Sequence, residues 1–364
     1  MTEKFVWDAH GDQIYSSEYG TQKLTGEYFS KEPATSFSMN ADGQTLTLLP
    51  SASSVWGTRH DVTLKPVEIN LERGSLALRP DDKTNNGEPV NFTMGPFLHK
   101  QTTGLPSVKL SITEGDFTLT GFDIVRAGGV GRNPQVNLKL DLSKTACYSV
   151  DCNSYHSGKF LSMADDSTAK IRANEIVLKD GTYRIKRAPE SGAARNERFA
   201  LDVESKDGGT MHISDLTVRC LGSTFAVFKS KHSTFHGTNK ISVENDSTIT
   251  IASDKLSVDE EPKTVFQIEK GSGEILFDTY SGDSPFDFDN NSYPRGLFNF
   301  IKTDGKTGDK NMTSIRIFGV HAFQRQKMED LKVVAIDGVA LDQWKNVVDY
   351  HQNGNYLIIS LKQP

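Results

Sequence analysis

The sequence predicts an all-β fold, a β-solenoid of stacked parallel strands, and two observations carry that prediction. A short phrase, a tight polar corner followed by an alternating strand, recurs along the chain. Its apolar positions also line up in rows. Two copies, Asp246-Ser-Thr-Ile-Thr-Ile251 and Lys270-Gly-Ser-Gly-Glu-Ile275, follow one another closely. The phrase returns at 73–78, 114–119, 166–171, 180–185, 208–213 and 222–227. The fifth-position row is Leu78, Leu119, Ile171, Ile185, Ile213, Val227, Ile251 and Ile275, all aliphatic. The fourth-position row includes Thr118, Lys170, Arg184, His212, Thr250 and Glu274, a polar face. Side chains alternate along a strand, so the first row faces a core and the second faces water. Further inward residues are expected ten positions on, at Ile124, Ile176, Val218, Leu256 and Tyr280. If the step from Asp246 to Lys270 is one coil, equivalent strands stack in parallel and bury rows that no single repeat can bury alone. An antiparallel sandwich or jelly roll also suits short strands with frequent turns.

Taken in order, residues 1–40 carry Trp7, Phe29 and Phe37 in polar sequence. They are expected as an N-terminal cap, because an exposed solenoid end is an open sheet edge. The solenoid is expected over 41–320, with strands at 45–49, 62–71, 90–94, 108–112, 117–125 and 136–142. Loop insertions are expected near 126–134, 186–198 and 281–310. Leu341, Trp344, Val347, Val348 and His351 recur at helical spacing before Gly354. Residues 321–364 are therefore expected as a C-terminal cap, a short helix and then a final strand at 356–361.

Composition narrows the function classes. Over 364 residues the formal net charge is −6 and hydrophobic content is 36 %, with a pI near 5.9. The acidic balance argues against a sequence-independent nucleic-acid binder. No apolar run approaches the roughly 18 residues of a membrane helix, so no membrane insertion is expected. The first residues, Met1-Thr-Glu-Lys-Phe-Val-Trp, lack the apolar core of a secretion signal.

Chemistry-bearing residues are sparse. Arg184, Lys186, Arg187, Arg195 and Arg198 form a basic cluster, offset by Glu190 and Glu197. With Arg126 and Arg132 from an earlier coil, it is the candidate contact for sulfate or carboxylate groups, which guanidinium matches bidentately. Asp283, Asp287 and Asp289 offer oxygen ligands in the outline of a calcium loop. Ser292 and Phe298 stand where an EF-hand needs Gly and Glu, so a solvated acidic turn is the competing reading. The Gly128-Gly-Val-Gly131 loop leads to Pro134 and another strand, not to the helix a phosphate cradle needs. Cys147 and Cys152 are five apart around a Ser-Val-Asp turn and are expected to bridge in an oxidising compartment. Cys220 falls on an inward position. His232 and His236 are the one close histidine pair, and neither a zinc motif nor a Gly-x-Ser-x-Gly elbow occurs. The outward acids Asp123 and Glu175 are expected at equivalent positions two coils apart, marginal for a glycosidase pair. No cofactor motif is present.

With ladders of Ile, Leu and Val, Gly/Ser-Thr corners and Thr-rich strands, the chain from about 42 to 280 resembles the right-handed parallel β-helices of exported bacterial proteins. Among these it looks most like the adhesin-type passenger domains of autotransporters. That resemblance implies a single-stranded right-handed parallel β-helix, an extracellular or cell-surface location, and binding to a host glycan or extracellular-matrix protein. It implies an excised passenger, since a complete autotransporter also carries a signal peptide and a translocator barrel. No family residue carries over. A polysaccharide lyase or glycoside hydrolase on a β-helix, and a structural, self-associating solenoid, are the alternatives.

Overall fold

The computed structural model describes residues 3–8, 11–26, 36–56, 67–81, 88–95, 108–128, 138–157, 160–186, 200–261, 263–269, 273–302, 313–320, 324–340 and 347–362. Contacts divide the chain into two compact units, Met1–Thr182 and Tyr183–Pro364. Each is mostly a stack of parallel strands whose coils have three sides, consistent with a β-solenoid.

In the first unit the register places like on like. On one side Tyr15 lies beside Met39, then Leu71, Ile112, Leu142 and Met163 follow in turn. On the second side Leu48, Leu78, Leu119, Val150 and Ile171 form the row. On the third side it is Phe92, Val125, Tyr155 and Ile176. All these residues are buried. The step along the chain between partners is short from Leu140 to Leu161 and nearly twice as long from Val67 to Val108. The register between partner strands is kept at both steps.

Parallel pairing already begins at Gln13–Ser16, inside the segment expected as a cap. The covering layer is shorter: Phe5 meets Tyr15 edge-on at 5.0 Å, and Trp7 stacks on Phe37 at 5.5 Å. Phe29 lies outside the described residues.

The polar corners stack as the strands do. Arg73 pairs with Glu114 at 3.1 Å, and Ser75 Oγ donates to Asp116 Oδ2 at 3.0 Å. Lys144 Nζ adds a third rung, 2.7 Å from Glu114. Gly74 is required here: its φ is +97°, and a Cβ would meet the Ala41 carbonyl oxygen at 2.5 Å. Elsewhere Asp180 and Asn245 turn the corner at φ of 49° and 51°, a region that short polar side chains tolerate.

One expected inward position fails because of a bulge. Register shifts between Thr120 and Phe122, around Gly121 at φ +75°. An extra residue reverses the alternation beyond it, so Val125 is buried and Ile124 is only half-buried.

In the second unit, Val203, Phe228, Ile251, Phe277 and Ile317 form one row. Val218, Ile241, Phe266, Phe298 and Val334 form another. Thr217 pairs with Lys240 and Ile249 with Ile275, steps that agree with the expected coil. The eight fifth-position residues do not share one row. Ile213 sits beside Phe235 on a different side, and Ile275 beside Ile249 rather than Ile251. The phrase marks corners, and more than one side of a coil begins with one.

Tyr280 is 56 % exposed, not inward. Asp254 Oδ1 accepts from the backbone N–H of Tyr280 and Ser281 and from the Thr279 hydroxyl, at 2.8, 2.7 and 3.0 Å. These bonds turn the chain outward just past the strand Gly273–Asp278. The segment expected as a loop insertion near 281–310 also supplies core. Phe286, Phe288, Tyr293 and Phe298 are buried, and Phe277 lies 4.9 Å from both Phe266 and Phe286.

The expected helix over 341–351 is replaced at its described end by a strand. Val348–Asn353 pairs antiparallel with Tyr356–Leu361, which pairs antiparallel with Thr313–Phe318. Gly354, at φ 58°, makes the tight turn between them, and β-branched Val348 suits the strand. Among the described residues the α-helix is Gln324–Asp330. The final strand at 356–361 stands as expected.

Two paired substitutions check this register. Leu119→Ala should cost about 3 kcal/mol through the cavity it leaves, while Thr118→Ala on the outer face should cost under about 0.5 kcal/mol, read from denaturant midpoints. Gly74→Ala should cost roughly 2 kcal/mol or more through backbone strain and the clash. Gly43→Ala, with nothing within 4 Å of its Cβ, should cost distinctly less.

Candidate functional site

The third side of the first unit gathers polar chemistry on its outer face. The strands Val108–Ala127, Cys147–Ser157 and Thr168–Lys179 run side by side there. Alternation sends Arg126, Ser154, His156 and Glu175 outward between the buried Val125, Tyr155 and Ile176. Register puts Arg126 beside His156, and Ser154 beside Glu175. Thr93, buried, flanks Arg126 on the other side.

Hydrogen bonds order the centre of this patch. Ser154 Oγ lies 2.9 Å from His156 Nε2 and donates to Glu175 Oε2 at 2.9 Å. A hydroxyl has one proton, and the carboxylate is its stronger acceptor. His156 Nε2 therefore carries its own hydrogen and donates to Ser154 Oγ, leaving Nδ1 as the acceptor nitrogen. Burial first, and the Arg126 guanidinium second, hold the His156 imidazole below its ordinary value, against the pull of Glu175. Arg126 is half-buried and pairs with no carboxylate among the described residues.

This arrangement is not a nucleophile triad. There the acid holds the imidazole from its far side and leaves the serine proton to the base. Here the acid sits on the serine. Ser154 is also only 7 % exposed. Nor do Asp123 and Glu175 form an acid pair. Asp123 Oδ1 accepts from Asn153 Nδ2 at 3.0 Å, and Asn153 Oδ1 accepts from Asn174 Nδ2 at 2.8 Å. The expected equivalence fails by one residue, because the bulge at Gly121 advances the register.

The other expected sites fare unequally. Arg184 and Lys186 are exposed on the strand Thr182–Lys186, in a different unit from Arg126. Arg132, Arg187, Arg195 and Arg198 lie outside the described residues, as does the glycine loop beyond Gly128. Asp283, Asp287 and Asp289 are exposed and do not converge; Asp287 accepts from the backbone and side chain of Asn290, a turn role. Among the described residues no three His, Cys, Asp or Glu side chains are grouped to hold a metal. His236 Nδ1 lies 3.0 Å from the Asp259 carboxylate, and His232 is exposed.

Cys147 and Cys152 are both free. They belong to one extended strand, where five residues span about 16 Å, far beyond the roughly 4.4–6.8 Å between the Cα atoms of a disulfide. Burial pushes the Cys147 thiol up, and that of Cys220 further. Thiol labelling of the native protein should therefore find Cys152 and Cys220 inert and Cys147 slow at neutral pH. All three should label after unfolding without reductant, and a missing pair of labels would restore the bridge.

Ser154 and His156 were not singled out by the sequence. Their strand opens with Thr145-Ala-Cys147 instead of the Gly/Ser-Thr corner, which hid the coil. The available signal was Ser-x-His alternation with Glu175 one coil later. No family model matches the chain, and no curated protein or solved structure matches it either.

Proposed function

We propose that this chain is a binding solenoid of adhesin type, working outside the cell, that holds an anionic polymer such as an acidic glycan along its outer face. The observation that carries the reading is Arg126. A half-buried guanidinium with no carboxylate partner among the described residues, set beside an imidazole, is a place where a ligand's sulfate or carboxylate would complete the pairing. The hydrogen-bond order around Ser154 favours binding over cutting. A host glycan or a matrix protein bearing such groups is the partner class.

The test is direct binding of a sulfated hexasaccharide to the whole chain at low and moderate salt. Arg126→Ala should weaken binding about tenfold or more, since a charge-assisted hydrogen bond contributes on the order of 1.5–3 kcal/mol. Added salt should weaken the wild-type complex. Equal binding by the variant, or none by the wild type, would overturn the reading. New reducing ends or unsaturated sugars on prolonged incubation would replace it with an enzyme.

A further inference from the structure

Resting on that reading, we infer that His156 couples anion capture at Arg126 to uptake of one proton, so that the outer face of the first unit binds its ligand more tightly as the medium becomes acidic. The geometry carries this. Nε2 is committed to Ser154 Oγ, whose own proton goes to Glu175. The nitrogen left to titrate is Nδ1, and protonation there turns it from acceptor to donor. Arg126 is the neighbour in register on the adjoining rung, about 4.8 Å away between strands.

The groups that act on the imidazole are few. Arg126 on Val108–Ala127 opposes its protonation, and the charge of Glu175 on Thr168–Lys179 favours it. Without a ligand, a second cation beside Arg126 is unfavourable, because like charges directly opposite in neighbouring strands repel. A sulfate or carboxylate placed between guanidinium and imidazole reverses that sign. It accepts from both, and the chain Nε2–H to Ser154 to Glu175 supports the imidazolium from behind. Bound and free states then differ in proton affinity at one group, and linkage requires affinity to change with pH. The sign is fixed by the order of the two states. The ligand raises the proton affinity of His156, so protons are taken up on binding and affinity rises as pH falls.

The experiment is calorimetric titration of the same sulfated hexasaccharide between about pH 5.5 and 8, in two buffers of different ionisation enthalpy. Wild type should take up close to one proton per site, with the dissociation constant falling up to about tenfold per pH unit between the free and bound values of the imidazole. His156→Gln, which keeps a donor towards Ser154, should still bind but lose most of that slope. In parallel, the His156 ring proton followed by NMR should titrate at higher pH with the hexasaccharide present. This second arm uses wild-type protein only and stands if the variant misfolds. An unchanged slope in His156→Gln, or an unmoved ring titration, would overturn the coupling while leaving Arg126-dependent binding intact. Absence of binding at every pH would overturn the coupling together with the reading it rests on.

Discussion

Parallel stacking imposes one constraint from which the rest follows: each side chain lies beside its own equivalent one rung away. An inward residue must then be apolar on every rung, or the row breaks. Outward rows must tolerate their own chemistry at strand spacing. Amides meet this well, since each both donates and accepts. In the second unit Asn299 Nδ2 donates to Gln267 Oε1 at 2.8 Å, and Gln267 Nε2 donates to Glu269 Oε1 at 2.6 Å. The Gly338 N–H completes the chain at Asn299 Oδ1. Neighbouring cations meet the constraint badly. Arg126 beside His156 is one such departure among the described residues, as is Lys109 beside Lys139.

Corners answer a related demand. Where the chain leaves one side for the next, backbone groups lose their ladder partners and must find others. Asn239 Oδ1 accepts from the Leu216 N–H at 3.0 Å, and its Nδ2 donates to Thr264 Oγ1 at 3.0 Å. Ser247 Oγ donates to the Cys220 carbonyl at 2.9 Å. Buried Asn, Ser and Thr are thus not defects in an apolar interior. They are the reason the coil can bend there.

The fold was legible because corner chemistry and alternation are local signals. Gly/Ser beside Thr or Asp announces a turn whatever surrounds it, and Leu119 or Ile171 shows its face by parity alone. What escaped depended on counting or on distant partners. A bulge at Gly121 moves no composition yet exchanges Ile124 with Val125. Tyr280 carries the right parity, but Asp254, a coil earlier, turns it out. Val347, Val348 and His351 fit a helix by spacing, and the pull to a strand comes from the antiparallel neighbour Tyr356–Leu361. Cys147 and Cys152 look close only until the chain between them is known to be extended strand. Of the candidate site, Arg126 was visible as a cation. Glu175 was visible as an outward acid, but Ser154 and His156 on the rung between were not, because their strand lacks the recurring corner.

The uneven rung spacing has an evolutionary reading. Short and long coils alike keep the register, with Leu140 meeting Leu161 and Val67 meeting Val108. Length changes therefore fall between the paired strands and leave the ladders untouched. A gene encoding such a unit can lengthen a loop, or duplicate a whole coil between two others, without re-optimising the interior. The antiparallel pair Tyr356–Leu361 and Val348–Asn353 does not share that freedom. A coil inserted between Thr313–Phe318 and Tyr356–Leu361 would have to rebuild the surface on which the reversed strand lies. Variation by descent is therefore expected within the parallel rungs and their loops, with the hairpin inherited as a block.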